Sequence, residues 1–140
     1  MEENTSALRR EHLFELLEEH RMKALQLELE DMNEFDIAEF LTELGEEDSK
    51  RMATVFRLLS KERGAEVFAE LDAPEQETII NSITDTELAL IIEDMYVDDA
   101  VDMMEELPAN IVKRVMRNAT PATRNLINPV SYTHLTLPTN

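Results

Sequence analysis

The chain has no cysteine, only two glycines, and 13 cationic side chains against 31 acidic ones. Without thiols, neither a disulfide framework nor a thiolate metal site can form, which fits a reducing compartment. With glycine only at Gly45 and Gly64, there is no glycine-rich phosphate loop. The Gly-x-Ser-x-Gly elbow is missing, and the histidines are His12, His20 and His134, so nucleophilic catalysis lacks its parts. Carboxylate pairs are abundant, but with this many acids some pairs fall at catalytic spacing by chance. The residues therefore read as those of a non-enzyme. No apolar run approaches the ~20 residues that a membrane span needs. The start, Met1-Glu2-Glu3-Asn4, has no basic region followed by an apolar stretch, so no signal peptide is read. The expectation is one soluble domain that does not itself insert into lipid.

The acids dominate what is present. The formal charge is −18, which repels nucleic-acid phosphates and anionic lipid heads and attracts cations and basic partners. Between Arg63 and Lys113 there are 14 Asp or Glu and no Lys or Arg. A solvated acidic face is the plainest account of such a stretch, and a cation site is the more specific one. The calcium loop of EF-hands is excluded, because it needs alternating oxygen ligands around a central glycine and a closing Glu. Neither Gly45 nor Gly64 sits in such a loop.

A twelve-residue register runs through most of the chain. Blocks start at Asn33, Asp48, Ser60, Asp72, Thr84, Tyr96 and Pro108, and the insertion Gly45-Glu46-Glu47 alone breaks the spacing. The eighth residues are Phe40, Val55, Val67, Ile79, Ile91, Met103 and Val115. The ninth and twelfth are also apolar throughout, and the fifth often is, as at Ile37, Met52, Leu88, Ala100 and Val112. Positions 5, 8, 9 and 12 mark one helix face. Each block is expected to be a helix of roughly two turns with a tight connection. The block starts carry helix-start chemistry: Thr84 with Glu87 forms a capping box, and Asp72 and Thr120 each precede an early proline. Helices this short need neighbours, so the expected fold is an all-α solenoid in which each helix buries its stripe on the next. Upstream, Leu13, Leu16 and Leu17 mark one amphipathic helix, and Leu25, Leu27, Leu29 and Met32 another. Most of the eight methionines fall on the stripes and read as core filling. His12 and His20 read as solvated surface.

One acidic cluster stands out, Asp98-Asp99-Ala100-Val101-Asp102. Asp98 and Asp102, four apart, share a helix face and repel each other unless a cation lies between them. Asp102 occupies the seventh register position, as Glu66 does three blocks earlier. On the residues alone the plainer reading is favoured, with Asp98 or Asp99 as an N-cap and Glu66 and Asp102 solvated.

Three segments also carry a resemblance. Arg63-Gly64-Ala65-Glu66-Val67-Phe68 resembles the "AAEVL" segment of MgtE N domains, and Leu71-Asp72-Ala73-Pro74-Glu75-Gln76 their "LSPEEQ" turn. Asp98 to Pro108 is similar to their "DDAADLLEELP" motif. The likeness covers Asn33 to Asn128 well and the first helices loosely. It implies a right-handed superhelix of short helices over residues 1–128. It further implies a cytosolic magnesium-sensing domain that is followed, in the family, by a CBS module, a connecting helix and a membrane pore, all as a homodimer. Glu66, Asp98 and Asp102 match the positions of the Mg2+-binding carboxylates, which favour the closed pore when the ion is bound. Here the chain leaves the family pattern after Asn128, before the expected "YPEDSAG" linker. Residues 129–140 have no charge and no helical period and resemble translated adaptor sequence, or a disordered tail. The alternatives are a helical-repeat interaction scaffold such as a FliG-like flagellar motor-switch module, whose charge pattern is not found here, and a metal-independent scaffold for a basic partner.

Overall fold

A computed structural model describes residues 2–127 of the chain; the 129–140 tail lies outside the described residues. These residues form α1 (Glu2–Glu18), α2 (Met22–Glu30), α3 (Glu34–Glu47), α4 (Ser49–Phe56), α5 (Lys61–Glu70), α6 (Ala73–Ser82), α7 (Asp85–Asp94), α8 (Val97–Glu106), α9 (Ala109–Asn118) and α10 (Pro121–Ile127). No strand occurs among the described residues.

The register and the helices coincide at their starts. Asn33, Asp48, Ser60, Asp72, Thr84, Tyr96 and Pro108 are the N-caps of α3 to α9. Each cap is extended, so the chain turns sharply there and the next helix begins at once. Four of them also satisfy free backbone donors, as short polar side chains do at this position. Asn33 accepts from the Asp36 N–H at 2.8 Å, and Asp48 from the Lys50 N–H at 3.0 Å. Ser60 accepts from the Arg63 N–H at 3.3 Å. Thr84 and Glu87 form the full capping box, at 3.1 and 2.9 Å. Asp72, by contrast, makes no side-chain cap bond; Pro74 in its first turn has no N–H to offer. From α5 to α9 each helix has 10 residues, nearly three turns rather than the expected two, because the connections shrink to the caps themselves. The inserted Gly45-Glu46-Glu47 lengthens α3 to 14 residues. Gly45 serves a close approach there: a Cβ would stand 2.8 Å from the Met52 sulfur, so its absence lets α4 close on α3.

Packing follows the stripes. Register positions 8 and 9 are buried in every block except Met116, which is half-buried. Helix α3 packs on α5, α5 on α7 and α7 on α9 in one row; α4 packs on α6 and α8 on α10 in the other. The pairs α3–α4, α3–α6 and α5–α8 join the rows. Such stacking of alternate helices, each touching its near neighbours, is compatible with a helical solenoid. At the N-terminal end, Leu13, Leu16, Leu17, Leu25, Leu29 and Met32 are buried, and the Phe14 ring meets Phe40 edge-on at 5.0 Å. Leu27 departs from expectation and is 54% exposed; two residues from both Leu25 and Leu29, it points off their face.

Candidate functional site

The acidic stretch of the sequence becomes the wall of a cleft of about 410 Å³ between the start of α3, the length of α5 and the α7–α8 junction. Six of its ten lining residues are acids: Glu34, Glu62, Glu66, Glu70, Asp94 and Asp99. Ala65, Ala69, Met95 and Tyr96 complete it. Tyr96 stands 74% exposed at the rim. The 12-residue register explains why the acids gather. Position 7 of the α5 block and position 4 of the α8 block both flank the buried stripe, and α5 packs against α8.

Of the expected metal ligands, Glu66 lines this cleft, while Asp98 and Asp102 lie outside it on α8. All three are exposed. The acid of α8 that joins Glu66 in the cleft is Asp99. Neither Asp98 nor Asp99 is an N-cap: Tyr96 holds that position, and the two aspartates occupy the first turn, where their charge meets the positive end of the helix dipole. Among the described residues no group of three Asp, Glu or His stands close enough to hold a metal ion.

The sequence reading missed Asp94. This last residue of α7 has Lys61 Nζ at 3.7 Å from one carboxylate oxygen, while the other is buried and has no hydrogen-bond partner. A buried carboxylate oxygen without a donor is costly, and most of the polar residues lining the cleft are further acids. Nothing in the register marks position 11 as functional, so the signal is available only from the packing. The donor set is all hard oxygen, which suits Mg2+ or Ca2+ rather than a soft metal.

Several arginines of the molecule are engaged elsewhere. Arg57 holds Glu87 through two bonds of 2.9 and 3.2 Å and also donates to the Ser82 carbonyl. The Arg57 hydrogen bonds, followed by that of the Thr84 N–H, hold the Glu87 carboxyl down at about 2. Arg114 donates to the Ile80 and Ile83 carbonyls and to Asp85, Arg63 to the Met32 carbonyl, and Arg124 to those of Met116 and Ala119. Arginines from neighbouring helices thus close the carbonyl ends of α6 and α9, as a helix's own last-turn cation would. Among the described residues, Glu66, Asp98 and Asp102 enter no ion pair within 4.0 Å.

The family model of the MgtE intracellular N domain matches residues 32–131. The chain belongs to the MgtE intracellular N domain family. This membership replaces the flagellar motor-switch reading. Two solved structures are similar. A crystal structure of the soluble part of a magnesium transporter matches with a TM-score of 0.74 at 17% identity, covering 88% of this chain and 48% of that one. A crystal structure of the cytosolic domain of the Mg2+ channel MgtE in complex with ATP matches with a TM-score of 0.70 at 27% identity, covering 86% of this chain and 48% of that one. The MgtE N domain described here thus spans about half the length of those structures. The comparison with curated proteins returns no match. No helix among the described residues is long and apolar enough to cross a membrane.

Proposed function

We propose that this N domain is a cytosolic magnesium-responsive regulator of an MgtE-type channel or transporter, acting at the cytoplasmic face of the membrane. Its acidic α5–α8 edge faces a second acidic module, the CBS module of the same chain, and Mg2+ bound between the two favours the closed pore of a homodimer. The observation that carries this reading is the acidic edge itself, where Glu66, Asp98 and Asp102 are exposed and enter no ion pair among the described residues. Nearby lies a cleft whose acids include Asp94 with its partnerless buried oxygen. Two acidic modules repel each other, and a divalent ion between them cancels the repulsion. Magnesium keeps several waters and takes one or two carboxylates from each side, so an open half-site of hard oxygens is the form such a shared site needs. The ion then acts as a ligand that selects one of two arrangements. The ATP of the related structure is not carried over to this cleft, because none of its ten lining residues is Lys or Arg.

The test compares this domain alone with the domain joined to its following acidic module, titrating each with Mg2+ in a calorimeter against a sodium background. The expected result is saturable magnesium binding for the joined form and only weak, sodium-displaceable uptake for the domain alone. Equal binding by both forms contradicts a shared site.

A further inference from the structure

We propose that α8 is a cation-responsive element whose helical order falls as the cations around Asp102 are depleted. Within its 10 residues are Asp98, Asp99, Asp102, Glu105 and Glu106 and no cation. On a helix each side chain meets those three and four residues away. For Asp102 these positions are Asp98, Asp99, Glu105 and Glu106, so every one is acidic. Like charges at these spacings destabilise a helix by about as much as opposite charges stabilise it. Glu105 and Glu106 add to this by lying at the helix C-terminus, where the dipole favours cations. The N-cap, Tyr96, contributes no side-chain bond.

Its neighbour α7 has the same length and the opposite arrangement. It starts with a full capping box, and Asp85, Glu87 and Asp94 each meet a cation, from Arg114, Arg57 and Lys61. None of the ion pairs among the described residues involves α8. What holds α8 is apolar: Ala100, Met103, Met104 and Leu107 are buried, chiefly against the seven-residue α10 and in part against α5. In α8, which carries Asp98 and Asp102, screening or binding of cations therefore shifts the helix–coil balance more than in α7. Charge relief alone produces the effect, so it stands apart from the shared-site reading above, and sodium suffices to reveal it.

Amide hydrogen exchange on the whole chain tests this, at roughly 10 mM NaCl, where charges act over ~30 Å, and roughly 1 M, where they act over ~3 Å. Protection of the α8 amides is expected to rise about tenfold with salt, from the sum of four like-charge contacts, and that of α7 less than half as much. Asp102→Asn removes all four contacts and raises the low-salt protection of α8 to near its high-salt value. Glu106→Gln removes one of them and gives a smaller rise. Glu77→Gln on α6 is the control, since its neighbours Ala73, Pro74, Ile80 and Asn81 carry no charge; it leaves α8 unchanged. The proposal is overturned if α8 and α7 respond equally to salt, or if Asp102→Asn does no more than Glu77→Gln.

Discussion

Gly64 sits inside α5, and a Cβ there would reach only Phe56 Cζ, at 3.7 Å, an ordinary contact. Replacing it by Ala removes the backbone entropy of a helical glycine without a clash, so Gly64→Ala is expected to stabilise the fold by ~0.5–1 kcal/mol in urea unfolding. Gly45→Ala gains the same propensity but must move the Met52 sulfur, so it stabilises less than Gly64→Ala does. At Glu87 the carboxyl is held at about 2, below its ordinary 4.5. A depressed folded value means stability that is present above pH 4.5 and lost as the pH falls toward 2. More than a third of that side chain is solvated, which limits the pair to about 1 kcal/mol or less. Glu87→Gln keeps the capping-box geometry, and the parent's advantage over it should be full at pH 7 and vanish between pH 4.5 and 2 in denaturant titrations. An advantage that persists at pH 2 contradicts the assignment. Gln76 is the residue that composition could not place. It occupies register position 5, apolar in most blocks, is 4% exposed and donates to the Phe68 carbonyl at 3.0 Å. Its partner lies on the previous helix, and no local pattern reveals such a bond.

At the scale of the helices, the register was legible because it is local physics. Caps such as Asn33, Ser60 and Thr84 announce each start, and the i, i+3, i+4 spacing of residues such as Leu88, Ile91 and Ile92 announces each buried face. Helix length was underestimated because a repeat of 12 residues was divided between helix and connection, whereas the observed connections are only the caps. The arginine–carbonyl bonds of Arg57, Arg63 and Arg114 were not legible, since they join residues 25 to 34 positions apart. Arg114 is the fullest case, tying α9 to the Ile80 and Ile83 carbonyls and to Asp85. Charged hydrogen bonds of this kind are worth ~1.5–3 kcal/mol each. With partial compensation by water, Arg114→Ala is expected to destabilise the domain by about 2 kcal/mol in urea unfolding and to speed exchange at the C-terminal end of α6. A loss confined to α9 contradicts the cross-helix role.

For the whole molecule, the net charge of −18 and the use of the arginines inside the fold have one joint result. Arg57, Arg63, Arg114 and Arg124 close helix ends, while Glu66, Asp98 and Asp102 of the α5–α8 edge stay unpaired among the described residues. The family likeness supplied Glu66, Asp98 and Asp102 by motif, and the structure places all three at the surface, with Asp94 and Asp99 added by the cleft. What the sequence could not convey was which acids share a space, because that depends on how α5 meets the α7–α8 junction. The central claim is that these carboxylates act across to a second acidic module. It is tested most directly in a full-length MgtE-type protein bearing this domain, by comparing the parent with Asp98→Ala/Asp102→Ala and following protease cleavage of the interdomain linker against magnesium concentration. The account predicts that the double variant needs several-fold more magnesium for the same protection. Protection at the same magnesium concentration in both would contradict it and return Asp98 and Asp102 to the solvated surface.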